Sequence, residues 1–232
     1  YVASVDKKIS KIERAAKAGD AKAKQELNAL LLFKSTLEAG KSARTVNMDP
    51  DLRETSIGDL CLLTDKPVIY VANVDEDSLS TGGNTFVDQL KSSVSAENAE
   101  VIVVCAAIEA QIAEIEDLDE RAMFLSEYGL EESGLSKLIK SSYSLLNLIT
   151  YFTAGVQEVR AWTIQKGWKA PQAAGVIHTD FERGFIRAEV IKMADYQTYK
   201  SEAACKDAGK LNVEGKDYVV HDGDIMHFRF NV

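Results

Sequence analysis

The chain has 232 residues, of which 46% are hydrophobic and 27% are charged, and its formal net charge is −9. This composition is typical of an ordinary soluble globular protein. No apolar run in the sequence approaches the ~20 residues that cross a membrane. The three cysteines are odd in number and far apart, which argues against a disulfide framework or a zinc site and favours free thiols in a reducing cytoplasm.

Two helices are predicted at the start of the chain. Apolar residues recur at spacings of three and four from Val2 to Ala16, Gly19 interrupts the pattern, and a second helix is predicted over 21–39. Helices joined by so short a break should lie antiparallel, packed along a coiled-coil seam. Such a hairpin has only two layers, so it needs a further surface or a partner.

The predicted hairpin is also the basic part of the chain. Residues 1–48 hold 10 Lys or Arg against 5 Asp or Glu, although the whole chain is acidic. A polyanionic partner would therefore meet this segment through contacts with its phosphates. The candidate contact residues are Lys7, Lys8, Lys11, Arg14, Lys17, Lys22 and Lys24. A solvated helix face rich in lysine is the alternative interpretation.

Residues 49–145 show the pattern of an α/β sheet. Two apolar, β-rich runs at 68–73 and 101–106 lack alternation, which predicts strands covered on both faces, and a helix is predicted over 84–96 between them. Strand, helix and strand make a parallel βαβ unit. Further helices are predicted over 50–63, 109–127 and 134–149.

From about residue 150 onward, short strands and turns replace this pattern. Apolar and polar residues alternate over 225–230, which predicts a strand with two unlike faces, and Pro171 begins a helix that reaches His178. The other predicted elements are strands at 149–153, 158–165, 187–193 and 218–220 and a helix over 195–208. Mixed strands around one helix predict a compact α+β domain.

The polar residues at the ends of the two apolar strands are the best candidates for a ligand site. In open α/β sheets, ligands bind beyond the carboxyl ends of the strands. Asn73 ends the first strand and is followed by Val74, Asp75 and Glu76, while Cys105-Ala106-Ala107 closes the second. Small residues there would let the backbone approach a purine ring. Taken by itself, an Asn followed by acids after a strand is also typical of a turn.

These segments resemble those of a known family. Asn73-Val74-Asp75-Glu76 resembles the modified base-recognition motif of the YchF (Obg-like ATPase) family, which stands in place of the Asn-Lys-x-Asp of typical GTPases. Cys105-Ala106-Ala107-Ile108-Glu109 resembles the loop that backs the base. The segments similar to the family's TGS domain are Tyr151–Gly155, Val159–Thr163, Ala170–Gly175, Ile177–Glu182, Gly184–Glu189 and Asp222–Asp224. The resemblance covers nearly the whole chain.

The resemblance implies a definite domain order. Residues 1–48 would be an inserted antiparallel, coiled-coil hairpin, and residues 49–145 the C-terminal half of an α/β, P-loop-type G domain with a parallel βαβ unit. Residues 146–232 would be an α+β, β-grasp TGS domain.

The resemblance also implies a function. The family is taken to bind and hydrolyse ATP with Mg²⁺ in preference to GTP, in the cytoplasm, and to associate with the ribosome through its large subunit or rRNA. It further implies a monomer with no DNA or membrane partner. The residues expected to bind the nucleotide are Asn73, Val74, Glu76, Cys105, Ala106 and Ala107.

The altered base-recognition motif offers a physical explanation for a preference for adenine over guanine. In a GTPase, the motif's Asp accepts hydrogen bonds from guanine N1–H and the 2-amino group, which adenine lacks. A carboxylate facing adenine would be left unpaired, at a cost of several kcal/mol of discrimination. Here Glu76 is one methylene longer and Val74 replaces the Lys, so Asn73 and the Val74 backbone are expected to contact adenine.

The phosphate half of a nucleotide site is missing from the sequence. No G-x-x-x-x-G-K-[ST] loop occurs, and the family resemblance places this loop and the Mg²⁺ ligands before residue 1. We therefore predict no catalytic residue in this chain and no ATPase activity from the chain alone. The alternative function is a nucleotide-independent adaptor that binds the ribosome or RNA through the hairpin and the TGS domain.

Two other sets of residues are weaker candidates. His178, His221 and His227 are dispersed, and His178 is expected to cap or pack its helix. The carboxylates between Glu109 and Glu120 fall at helical spacing, which predicts a solvated acidic face and not a metal site.

Overall fold

The computed structural model describes residues 1–97, 99–155 and 158–231. The chain divides into two compact units, Tyr1–Leu138 and Ile139–Val232. The α/β and α+β fold classes and the helical hairpin predicted from the sequence are confirmed.

The first unit begins with the hairpin. Helix α1 (Val2–Lys17) and helix α2 (Ala21–Glu38) are joined by a turn in which the Asp20 carboxylate accepts hydrogen bonds from the Lys22 and Ala23 amides. Val5, Leu30 and Phe33 are fully buried where the two helices meet the following segment. The apolar seam read from the sequence therefore forms the core of this part.

A short connection leads from the hairpin to the sheet. It contains the 3₁₀ turn Ala43–Thr45, helix α3 (Pro50–Ile57) and the 3₁₀ turns Gly58–Leu60 and Leu63–Asp65. The predicted helix over 50–63 therefore ends early, because Gly58 and the left-handed Cys61 interrupt it. Arg53 fixes the connection, since its guanidinium donates to the Ala43 and Val46 carbonyls and pairs with Asp65.

The predicted βαβ unit is present. Strand β1 (Ile69–Asn73) pairs in parallel with strand β2 (Glu100–Val104), and the register places Asn73 opposite Val104. Between them lie helix α4 (Glu76–Ser80), helix α5 (Thr85–Val94) and the 3₁₀ turn Ser95–Glu97. The carboxyl ends of both strands therefore lie side by side.

Three helices follow β2: α6 (Ala106–Glu114), α7 (Leu118–Glu127) and α8 (Gly134–Leu145). The single long helix predicted over 109–127 is wrong. The Asp117 carboxylate accepts hydrogen bonds from the Asp119 and Glu120 amides, both at 2.9 Å, and so starts a new helix there. A cap of this kind ends one helical path and begins another.

The second unit is a β-grasp. Its elements are β3 (Leu148–Ala154), β4 (Val159–Gln165), α9 (Ala170–Ile177), α10 (Thr179–Arg183), β5 (Phe185–Lys192), α11 (Met193–Tyr199), α12 (Glu202–Asp207), β6 (Asn212–Glu214) and β7 (Asp224–Phe230). Within the described residues the sheet order is β4-β3-β7-β5-β6, with β3 and β7 parallel and the other neighbours antiparallel. The core combines Tyr151, Ile164 and Met226 with Ala173 of α9.

Two details of this unit differ from the sequence prediction. The helix predicted over 195–208 is two helices, because Lys200 adopts a left-handed conformation and Ser201 caps α12. The strand predicted at 218–220 is reduced to one bridge between Val219 and Lys169, and the short strand β6 had no clear sequence signal.

A buried carboxylate organises the turn before β7. Asp224 is fully buried, and its oxygens accept hydrogen bonds from Lys192 Nζ at 2.7 Å, Tyr218 Oη at 2.6 Å and the His221 amide at 2.9 Å. Burial, reinforced by the hydrogen bond to Asp224, raises the pKa of Tyr218 to about 12. Each polar group of this network has a partner, which is the condition for burying a charge without a large penalty.

Candidate functional site

The ends of β1 and β2 are joined by side-chain and backbone hydrogen bonds. The Ala106 amide donates to Asn73 Oδ1 at 3.0 Å, and the Val74 amide donates to the Val104 carbonyl at 2.8 Å. Because the parallel register places the two strand ends together, the Asn side chain bridges directly to the first residue of α6. The two segments singled out from the sequence are therefore adjacent.

The surface at these strand ends is open and lined by small residues. Asn73, Ala106 and Ala107 are exposed, and Asn73 Nδ2 has no hydrogen-bond partner among the described residues. Because the Ala106 amide must donate to an oxygen, it identifies the nearer side-chain atom of Asn73 as Oδ1, and Nδ2 remains a free donor. Ala106 and Ala107 carry only methyl side chains, so little side-chain bulk covers the backbone there.

Cys105 contributes little to this exposed surface. The whole residue is 3% exposed and packs in a core cluster with Leu79, Ile108 and Ile112. Of the residues expected to bind the nucleotide, it is therefore the one that the fold buries.

The two acids of the motif behave differently. Asp75 caps α4 by accepting a hydrogen bond from the Ser78 amide at 2.8 Å, and hydrogen bonds from Ser78 hold the pKa of the Asp75 carboxyl below its ordinary value. Glu76 is exposed in the first turn of α4, and none of the hydrogen bonds or ion pairs of the described residues involves its side chain. Of the two carboxylates, Glu76 is the one free to meet a ligand.

Glu109 has a role that the sequence did not indicate. Its helical spacing predicts a place on the solvated acidic face, yet its carboxylate accepts hydrogen bonds from the Gly134 amide at 2.6 Å and the Leu135 amide at 3.1 Å. It therefore caps α8, a helix 25 positions further along the chain. No rule based on local spacing would have predicted this pairing. The sequence signal was limited to Gly134, a small residue at the start of a predicted helix.

The basic residues of the hairpin fall into two groups. Lys8 is engaged: its Nζ lies 2.6 Å from Asp59 and 3.4 Å from Glu26, donates to the Thr55 carbonyl, and its side chain is only 15% exposed. Lys17 pairs with Glu13 at 2.7 Å but remains exposed. The exposed residues whose side chains form no ion pair within the described part of the chain are Lys7, Lys11, Arg14, Lys22 and Lys24.

The three histidines all belong to the second unit. His178 Nδ1 accepts a hydrogen bond from the Asp180 amide and caps α10, as expected for a helix-capping residue. His221 belongs to the turn around Asp224, and His227 is exposed on β7. In the described ranges no group of three or more His, Cys, Asp or Glu side chains could hold a metal ion.

The described residues include no helix that combines the length and apolarity needed to cross a membrane.

Comparisons with known proteins extend the resemblance over the whole chain. A family model described as "YchF-GTPase_C, protein of unknown function (DUF933)" matches residues 148–231. "Ribosome-binding ATPase YchF" of Bacillus subtilis (strain 168) is 52% identical over 230 residues, which cover 99% of this chain and 62% of that protein. The protein of the same name from Escherichia coli O157:H7 is 49% identical, over 98% of this chain and 61% of its own length.

A solved structure supports the same assignment. The YchF GTPase of Schizosaccharomyces pombe is 34% identical, with a TM-score of 0.81 over 98% of this chain and 62% of that chain. This chain thus spans about 62% of the length of the relatives it matches. Because the sequence identity extends through both units and the fold is shared, the chain belongs to the YchF family.

Proposed function

We propose that this chain supplies the base-recognition part of an ATPase that binds and hydrolyses ATP in preference to GTP and associates with the ribosome in the cytoplasm. The observation that carries the proposal is the hydrogen bond between Asn73 Oδ1 and the Ala106 amide, which brings the two strand ends into one surface. The bacterial relatives are named ribosome-binding ATPases, which supports the proposal.

The free polar groups at the strand ends fit a purine and favour adenine. Asn73 Nδ2 is a donor suited to ring N7, an acceptor that both purines present. The Val74 amide is already bonded to Val104, whereas the Val74 carbonyl accepts no hydrogen bond within the described part of the chain. A carbonyl attracts the 6-amino donor of adenine and repels the O6 acceptor of guanine, so this group is proposed to read the base.

The phosphates and Mg²⁺ require other residues. The sequence holds no phosphate-binding loop, and the residues at the strand ends offer no cluster of ligands for Mg²⁺. In P-loop enzymes, Mg²⁺ bridges the β- and γ-phosphates and neutralises their developing charge. We therefore expect the 232-residue chain alone to bind the base weakly and to show no ATPase activity.

The test compares Asn73→Ala with wild type in the complete gene product. Isothermal titration should give tighter binding of ATP than of GTP, and N73A should weaken ATP binding by roughly tenfold, since one hydrogen bond and the placement of Ala106 are lost. Ser80→Ala, an exposed substitution on α4, is the matched control and should bind as wild type does. Equal ATP affinity of N73A and wild type would refute the proposal.

A second candidate function is contact with ribosomal RNA of the large subunit through the hairpin. It is favoured by the exposed, unpaired basic residues, of which Lys7, Lys11 and Arg14 follow one stripe of α1. Reversal of Lys11 to Glu should weaken ribosome binding and reduce its salt dependence, whereas the same reversal at exposed Lys91 of α5 should not. Binding that is insensitive both to salt and to K11E would exclude this role.

A further inference from the structure

The loop behind the candidate base surface is tied to a helix far along the chain. Glu109 lies in the first turn of α6, and its two carboxylate oxygens accept the amides of Gly134 and Leu135 at 2.6 Å and 3.1 Å. These amides belong to the first turn of α8, a helix of 12 residues. The first amides of a helix have no hydrogen-bond partner within the helix, so Glu109 supplies one. A carboxylate at this position also interacts favourably with the helix dipole.

Gly134 makes a second contact with the same loop. A Cβ atom added at Gly134 would lie 2.6 Å from Val104 Cγ1 and 2.9 Å from Glu109 Oε1. Any side chain there would force the start of α8 away from β2 or would displace Glu109. Val104 is the last residue of β2 and accepts the Val74 amide, so the start of α8 touches the strand end itself.

These contacts hold the segment Cys105–Ile108 from both ends. Val104 precedes the segment and packs against Gly134, while Glu109 follows it and bonds to the same turn of α8. The position of the Ala106 amide, which binds Asn73, therefore depends on where α8 begins. Fixing a loop in its binding geometry before the ligand arrives reduces the entropic cost of binding.

We propose that Glu109, together with Gly134, is a positioning residue that holds the Ala106-Ala107 backbone in register with Asn73 for base recognition. This inference rests on the proposed function, since it assigns a determinant of affinity to the same surface. Glu109 itself does not reach the base; it acts through the first turn of α6.

The chain provides a matched control for the loss of a helix cap. Asp117 caps α7 by accepting two backbone amides at 2.9 Å each, as Glu109 does for α8, but α7 carries none of the residues of the strand ends. Asp117→Ala and Glu109→Ala should therefore lower the stability of the first unit by similar amounts. Only the Glu109 substitution should change base recognition.

The experiment has two readouts. In the 232-residue chain, the amide NMR signals of Ala106 and Ala107 should shift in E109A and in Gly134→Ala but not in D117A. In the complete gene product, E109A and G134A should raise the KM for ATP at least fivefold with kcat within twofold of wild type, because the phosphates are held elsewhere. E109Q, which keeps one acceptor oxygen, should fall between E109A and wild type.

The outcomes separate this inference from the proposed function. One outcome is that wild type binds ATP and that the KM values of E109A, G134A and D117A equal the wild-type value. The positioning role is then refuted, whereas the proposed base-binding surface is not. If D117A raises KM as much as E109A does, the effect is general destabilisation, and the inference is again refuted. If wild type itself binds no purine nucleotide, the proposed function fails and the positioning role fails with it.

Discussion

Two polar sites of this molecule have opposite characters. In the β-grasp unit, Asp224 is fully buried and receives hydrogen bonds from Lys192, Tyr218 and the His221 amide. At the ends of β1 and β2, Asn73 is exposed, and only one of its two polar side-chain atoms is bonded within the described residues. Both sites contain a polar residue at a strand end, yet only the second leaves donors and acceptors free.

The difference shows how to separate structural from functional polar residues. A buried group whose hydrogen bonds are all made stabilises the fold and has nothing to offer a ligand. An exposed group with free capacity contributes little to stability but can bind. Mutations at the two sites should therefore separate stability from binding.

The largest effect is expected for Asp224→Asn. The substitution removes a buried charge that Lys192 and Tyr218 both contact, so it should lower the free energy of unfolding of the second unit by about 3 kcal/mol. Both tryptophans, Trp162 and Trp168, lie in this unit, so fluorescence-monitored urea unfolding reports on it specifically.

Asp217→Asn is the control for this measurement. Asp217 also pairs with a lysine, Lys169 at 2.7 Å, but its side chain is 93% exposed, and its loss should leave the unfolding curve unchanged. If D217N and D224N have equal effects, burial is not what distinguishes the Asp224 network.

The next effect concerns alkaline pH. The pKa of Tyr218 is raised from 10.0 to about 12, so the folded state favours the neutral phenol. This contribution to stability is complete below pH 10 and is lost as the pH rises from 10 towards 12. Tyr218→Phe should flatten the fall in stability over this range, measured by tryptophan fluorescence at fixed urea.

The stability of Y218F should still fall somewhat as the pH rises above 10. Burial also raises the pKa of Tyr151, whose hydroxyl donates to the Ala173 carbonyl in the core. The exposed Tyr199→Phe is the control and should retain the full wild-type slope. A wild-type slope in Y218F would mean that Tyr218 does not link this network to pH.

Features set by neighbouring residues could be predicted from the sequence, whereas contacts between residues far apart along the chain could not. The strands, the hairpin and the strand-end surface follow from local patterns: continuous apolar runs, a three-four repeat, and an Asn at the end of a strand. The break in the helix over 109–127 also had a local signal, since Asp117 followed by acids is a helix start, but the apolar spacing on both sides concealed it.

Contacts between distant residues were not predictable from one sequence. Lys8 and Asp59 are 51 positions apart, and Glu109 and Gly134 are 25 apart. Neither pair has a spacing that a helix or a strand imposes, so a charged residue with such a partner looks the same in sequence as a solvated one. The network around Asp224 is only partly of this kind: Tyr218 and the His221 amide lie within 6 positions of it, whereas Lys192 is 32 positions away.

The hairpin allows the comparison to be tested within one helix. Lys8 is bonded to Asp59, Glu26 and the Thr55 carbonyl, whereas Lys11, one turn later, is exposed and forms no ion pair in the described residues. Lys8→Glu should therefore destabilise the first unit by about 1 kcal/mol in urea unfolding followed by circular dichroism. Lys11→Glu should leave the unfolding midpoint unchanged. The reverse order of effects would mean that the hairpin is stabilised by the residues we assign to binding.

The smallest effect on stability is expected for Asn73→Ala in the absence of nucleotide. The substitution removes one hydrogen bond, from the Ala106 amide, and that amide lies at an exposed helix start where water can replace Asn73 Oδ1. The cost should thus be at most ~1 kcal/mol, because no polar group is left buried without a partner. Urea unfolding of the first unit measures it, and the faster hydrogen exchange of the Ala106 amide should be confined to the start of α6. If N73A lowered the free energy of unfolding as much as D224N does, Asn73 would be a structural residue. The reason to assign it a ligand would then be lost, because the fold itself would require this side chain at the end of β1.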